Sequence, residues 1–337
     1  MLKYIGRRLA MLVFLLVGVT FLVFFISHMV PSDPVAANMS QNAMSDPAAV
    51  AAFEAKWGLD KPLLQQYGIY LSNLFRGDMG TSIRTGNPVL EDLKQFYPAT
   101  LELSLCAMVV AVLFGILFGT LSAVYRDKPL DHALRTVSIS GVSMPSFWFA
   151  LLMLFVFFYK LGWAPGPGRI SARTSAPQGG SGLYLLDAIF SGNGALLADS
   201  LQHLILPSVV LGFFTMGLVS RQTRSNLMEV MSGDYIRTAR AKGLTEGRVV
   251  FHHAMGNAMI PVLTVIGMGF CNLLGGMVFV EKIFAWPGIG QYAYQSATSL
   301  DFPAICGVSL LIAINYVLVN LLIDILYGII DPRVRYR

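Results

Sequence analysis

Charge is scarce in this sequence: 13% of its 337 residues are Asp, Glu, Lys or Arg, about half the share of an ordinary soluble domain. That deficit excludes a typical water-soluble enzyme. Cysteine is scarcer still. The three thiols, Cys106, Cys271 and Cys306, are too far apart for a disulfide framework or a metal-ligand spacing, and they read as small apolar packing residues. No Gly-x-x-x-x-Gly-Lys-Ser/Thr loop and no His-Glu-x-x-His pair occurs, so neither that phosphate cradle nor that zinc site is present. The adjacent His252 and His253 fall on different faces of a helix and make no metal pair.

Apolar residues are plentiful, at 55% of the chain, and they are gathered in runs. The stretches 9–30, 99–125, 136–159, 204–220, 259–280 and 303–330 lie within or above the roughly 17 to 25 helical residues that span a hydrocarbon layer. None of the 24 Lys and Arg residues falls in them, and of the 19 acidic residues only Glu102 and Asp324 do. The pattern predicts an all-α integral membrane protein with six transmembrane helices. The formal charge of +5 is then a matter of topology rather than of nucleic acid. With the N-terminus in the cytoplasm, the segments 1–8, 126–135, 221–258 and 331–337 are cytoplasmic and hold most of the Lys and Arg, as the positive-inside bias requires. The first apolar run, preceded by Lys3, Arg7 and Arg8, has no small-x-small cleavage pattern and reads as a retained anchor.

The chain divides into an N-terminal segment with the first span (1–30), an extracytoplasmic subdomain (31–98), a five-helix core (99–330) and a cytoplasmic tail (331–337). The core includes an external loop, 160–203, and a cytoplasmic segment, 221–258. In the subdomain, Asp46 is placed to cap a helix over 47–57 with Pro47 at its first position. Pro62 opens a second helix through Phe75, and turns follow. In loop 160–203 a short helix is expected around Leu183 to Phe190. Trp286, among the chain breakers of the third external loop, suits an interfacial anchor. Gly115 and Gly119, together with the glycines of span 5, predict close helix packing, and Pro145 a kink in span 3.

Ionisable groups inside a membrane are costly and mark pathways or structural pairs. Glu102, Asp324 and His28 lie near span ends. The interior polar residues Ser104, Ser143, Asn272, Asn315 and Asn320 suit either helix-to-helix hydrogen bonds or the lining of a passage, and Glu102, Ser143, Asn272, Asn315 and Asn320 form the candidate translocation pathway. The most patterned polar stretch is Asp234-Tyr235-Ile236-Arg237-Thr238-Ala239-Arg240-Ala241-Lys242-Gly243-Leu244. Asp234 is placed to cap a short helix and Gly243 to stop it. Such a helix seats in a groove of another protein or lies on anionic lipid. No nucleophile is paired with a base, which leaves an intramembrane enzyme without support.

Residues 234–244, followed by Asn257-Ala258-Met259-Ile260-Pro261, resemble the coupling motif of ABC importer permeases of the dipeptide, oligopeptide and nickel group. The likeness runs along the chain through Arg7-Arg8-Leu9, Pro31-Ser32-Asp33-Pro34, Gly58-Leu59-Asp60-Lys61-Pro62, Gly77-Asp78-Met79-Gly80, Pro98-Ala99-Thr100-Leu101-Glu102-Leu103, Trp286-Pro287-Gly288-Ile289-Gly290 and Asp331-Pro332-Arg333. Ser32 stands where Gly is usual, and Met255-Gly256 replaces a common Leu-Arg. The resemblance implies a type I importer permease fold and a bacterial inner-membrane location with both termini cytoplasmic. It also implies a second homologous permease, two cytoplasmic ATPase subunits holding ATP and Mg, and an extracytoplasmic solute-binding protein. The chain itself would carry no cofactor, metal or catalytic group. Residues 234–244 would be the ATPase-coupling helix, and Asp60, Lys61, Arg76, Asp78 and Arg84 would meet the binding protein. Cargo would be di- or oligopeptides, with glutathione, haem or nickel complexes as alternatives within the group. An ion-coupled secondary transporter is the alternative from another class.

Overall fold

The computed structural model describes residues 2–29, 45–57, 61–177 and 179–330. Among them the regular elements are helices, with one antiparallel bridge between Thr81 and Pro88. The motifs at Pro31-Ser32-Asp33-Pro34, Gly58-Leu59-Asp60 and Asp331-Pro332-Arg333, and the side chain of His28, lie outside the described residues.

Helix α1 (Leu2–Met29) carries the first apolar run. Helix α2 (Pro47–Trp57) starts where Asp46 Oδ1 accepts the Ala48 N–H at 2.9 Å, and α3 (Leu63–Phe75) follows Pro62. Four helices are long and apolar enough to cross a membrane: α4 (Val89–Val124), α8 (Gly194–Met231), α10 (Glu246–Leu274) and α13 (Phe302–Ile330). Between the first two, α5 (Pro129–Ser143) and α6 (Ser146–Lys160) form an apolar pair bent by 111° at Met144-Pro145, the geometry of a broken span or a re-entrant loop. Proline there lacks an N–H and disfavours helix in the residue before it. The remaining helices are short: α7 (Tyr184–Phe190), α9 (Asp234–Ala241), α11 (Val278–Ile283) and α12 (Ile289–Thr298).

Several helix ends differ from those expected of the apolar runs. Helix α4 begins ten residues before 99, at Val89, and keeps Pro98 inside it. Helix α8 starts at Gly194 rather than 204, because the Asn193 side chain caps it by accepting the Leu196 N–H at 3.0 Å. Span 5 ends at Leu274 instead of 280: Gly276 takes a φ of 82°, and the next residues turn into α11. Hydropathy marks only the lipid-embedded part of a helix, whereas caps and glycines fix where it ends.

The chain divides into two compact units, residues 1–99 with 287–317, and residues 100–286 with 318–337. In the first, Val89, Leu93, Ile289, Tyr292, Ala304 and Val308 form the core. A turn at 81–88 is fastened to it by two buried carboxylates. Asp301 accepts the Ser82 hydroxyl at 2.5 Å, and Asp92 accepts the hydroxyls of Thr85 at 2.5 Å and Tyr292 at 3.0 Å. In the second unit α8 is the central helix. Added Cβ atoms on Gly115 and Gly119 of α4 would lie 2.7 Å from Val219 and 2.6 Å from Thr223 on α8, so both glycines permit backbone approaches that a side chain would block.

Candidate functional site

Helix α9 is the segment 234–241 that the sequence singled out. Gly233, not Asp234, occupies its N-cap, with extended backbone at ψ 150° and no side-chain cap. Asp234 is the first helical residue, where its negative charge still suits the helix dipole. Its carboxylate turns to Arg237 at 3.5 Å across a highly exposed pair, an interaction worth little in water.

The other end is more firmly built. Gly243 has a φ of 77°, the Leu244 N–H bonds to the Ala239 carbonyl at 3.4 Å and the Gly243 N–H to that of Arg240 at 2.9 Å. This is a Schellman stop, and Leu244 packs on the same core as Ala239, as such a stop favours. The guanidinium of Arg240 grips Glu246 with two bonds, 2.7 and 3.2 Å, across the turn. That contact holds the Glu246 carboxyl below its usual range.

Ile236 and Ala239, three positions apart on one face, are buried with Leu227, Val249, Val250, Ala254 and Ala258. This core joins the helix to the ends of α8 and α10, and α10 is wound as a π-helix over Val249–Ala254. Asn257 donates to the Tyr235 hydroxyl at 3.0 Å, and Asn226 to the Ala258 carbonyl at 3.3 Å. The opposite face is open: Arg237, Thr238, Arg240, Ala241, Lys242 and Gly243 are exposed, as are Tyr235 and Phe251. The result is a small, rigid, cationic knob with apolar points, fixed at its base to two long helices. Such a shape can seat in a groove and pass on a displacement. It offers no nucleophile and base, and among the described residues no group of three or more His, Cys, Asp or Glu could hold a metal ion.

The candidate pathway residues lie in different surroundings. Glu102 is buried against Arg169 at 2.6 Å, and its other oxygen accepts the Leu185 N–H at 2.7 Å. Arg169 also donates to the Gly182 carbonyl at 2.9 Å and lies 3.6 Å from the centre of the Tyr184 ring. Glu102 therefore pins loop 160–203 to α4. Ser143 is exposed at the break between α5 and α6, and Asn272 is exposed near the end of α10. Asn315 is buried and accepts the Tyr97 hydroxyl at 2.7 Å; Asn320 and Asp324 are half-buried on α13. Trp286, expected at the interface, is instead 1% exposed, its ring 5.5 Å from the Arg169 guanidinium and its backbone N–H bonded to the backbone carbonyl of Glu281.

Of the candidate binding-protein contacts, Lys61, Arg76 and Arg84 are exposed. Asp78 is half-buried and accepts the Gly80 N–H at 3.0 Å, while Asp60 lies outside the described residues. Arg84 projects from the fastened 81–88 turn with its guanidinium 5.5 Å from the Tyr292 ring centre. Sequence reasoning missed Arg169, Asp92, Asp131 and Asp301. Arg169, Asp131, Asp301 and Asp92 each meet a partner 67, 93, 219 and 200 positions away, Glu102, Arg224, Ser82 and Tyr292 in turn, which no local spacing could reveal.

Residues 115–336 match the family model of the binding-protein-dependent transport system inner membrane component, and residues 1–104 match that of its N-terminal region. The chain belongs to this family of inner-membrane transport components. This permease is 46% identical over 323 residues to the probable D,D-dipeptide transport system permease protein DdpB of Escherichia coli K12, covering 96% of this chain and 94% of that one. It is 42% identical to the dipeptide transport system permease protein DppB of Alkalihalophilus pseudofirmus, over the full length of both. It is 38% identical to the glutathione transport system permease protein GsiC of Escherichia coli O6:H1, again over both full lengths. The fold is that of a chain of the MetNI methionine ABC transporter solved in inward-facing conformations. The TM-score is 0.51 at 17% identity, over 71% of the permease and 96% of that chain.

Proposed function

We propose that this permease forms half of the translocation pathway of an ATP-driven importer of di- or oligopeptides. A second homologous permease completes the pathway, two cytoplasmic ATPase subunits drive it, and a solute-binding protein delivers the cargo. Both termini and residues 234–244 face the cytoplasm; the 31–98 subdomain and its charged residues face the binding protein. ATP and Mg are held by the ATPase subunits, and this chain is not itself an enzyme. The observation that carries the reading is the coupling segment: a capped, core-anchored helix whose outward face is small and cationic, at the junction of two long helices. Peptide cargo is supported by the dipeptide permeases among the relatives. The GsiC likeness makes glutathione, itself a peptide, the first alternative to test.

The test is reconstitution of the permease with its four partner subunits in liposomes. Peptide uptake should require ATP inside and binding protein outside. Uptake by this chain alone, driven by a proton gradient, would contradict the reading and favour an ion-coupled transporter.

A further inference from the structure

We propose that Asp131 is a positioning residue for transport: with Arg224 it is the joint through which displacement of the coupling helix reaches α4 and α5. This rests on the reading of residues 234–244 as the ATPase-coupling segment. Asp131 lies in the first turn of α5, outside the apolar run 136–159, yet it is wholly buried. Its carboxylate accepts from the Ser122 hydroxyl on α4, from the Asp127 N–H at 3.0 Å, and from Arg224 of α8, Nε at 3.0 Å and Nη2 at 2.8 Å. Those donors fill the acceptor sites of one carboxylate. The bidentate fork also fixes orientation in a way that a lysine could not.

Every partner sits where relative motion of the helices would be felt. Asp127 reverses the chain between α4 and α5 with a φ of 60°, a conformation uncommon for any residue but glycine, and its N–H is tied to Asp131. Arg224 precedes Leu227 by three positions on α8, and Leu227 is buried with Ile236 and Ala239 of the coupling helix. Ser122 adjoins Ala123, which packs on that same core. Between α5 and α8, Ser138 and Ser220 are hydrogen-bonded at 3.0 Å, and Gly217 of α8 meets the Ser138 carbonyl too closely to admit a Cβ. Helix α8 therefore cannot slide against α4 or α5 here without parting Asp131 from Arg224.

Stability does not require such a pair, because well-packed apolar residues of similar volume often do as well or better. A fixed register between three helices does require something directional.

The experiment uses the full importer in proteoliposomes, measuring radiolabelled alanylalanine uptake and phosphate release in the same vesicles. Asp131→Asn and Arg224→Gln should each lower the peptide carried per ATP by at least about fivefold, the size of a modest coupling free energy. ATPase subunits should stay bound and hydrolysis should continue. The double variant should be no worse than either single one. Arg224→Lys, which keeps the charge and loses the fork, should fall between these and the unaltered chain. It also decides the matter if the neutral variants do not assemble. An unchanged ratio in assembled variants overturns the proposal, as does a parallel loss of uptake, hydrolysis and assembled complex, which marks a purely structural pair. Unaltered vesicles that import without ATP would overturn the underlying reading instead, and the joint with it.

Discussion

Glu102 and Asp324 were the two acidic residues within the apolar runs that could carry an ion, and the structure surrounds Glu102 with Arg169, the Leu185 N–H and the Tyr184 ring. A carboxylate so engaged is part of a fastening. Removing it strands a buried guanidinium, at a cost of about 3 to 5 kcal/mol. Glu102→Ala should therefore lower the thermal unfolding midpoint of the purified importer while leaving the pH dependence of residual uptake unchanged. A flattened pH profile with unaltered stability would point to ion coupling after all. The composition shows that Glu102 is unusual, since almost no other charge enters the apolar runs. It does not show the partner, because Arg169 lies in an irregular loop and meets Glu102 only once that loop folds back against α4.

At the scale of the helix, the coupling segment divides into faces that its sequence only half discloses. The stop at Gly243 and the small residues on the helix were legible from the residues themselves. The separation of Ala239 from Ala241 was not: the first is buried on Leu227 and Val250, the second open. The cap also moved by one residue, to Gly233, because the Asp234 side chain lies along the helix toward Arg237 instead of back over its start. Gly243 has open space around it, so its requirement is conformational. A β-branched residue at a φ of 77° costs about 1 to 2 kcal/mol, whereas Asn tolerates that region. Gly243→Val should loosen the ATPase subunits during size-exclusion chromatography, and Gly243→Asn should retain them. Equal retention would mean that the shape of this turn does not matter for docking. Longer helices follow the same rule of partial legibility. Their apolar centres were plain, but Asn193, Gly275 and Gly276 set ends that hydropathy cannot see.

Across the molecule, charge is excluded from the spans and concentrated where it has a partner or a task. The carboxylate–guanidinium pairs Glu102–Arg169 and Asp131–Arg224 fasten the second unit, and hydroxyl-bonded carboxylates fasten the turn of the first. The coupling helix lies among the ends of the long helices, its base in their shared core and its cations outward. Family, membrane class and the presence of a short helix at 234–241 could all be read from the sequence. The two ion pairs could not, since they join residues 67 and 93 positions apart. The outward face of this helix is proposed as the seat of an ATPase subunit, which a photo-crosslinking residue in place of Ala241, activated in the assembled importer, would reveal. An adduct with one ATPase subunit is expected; an adduct with lipid alone, or with the solute-binding protein, would overturn that role.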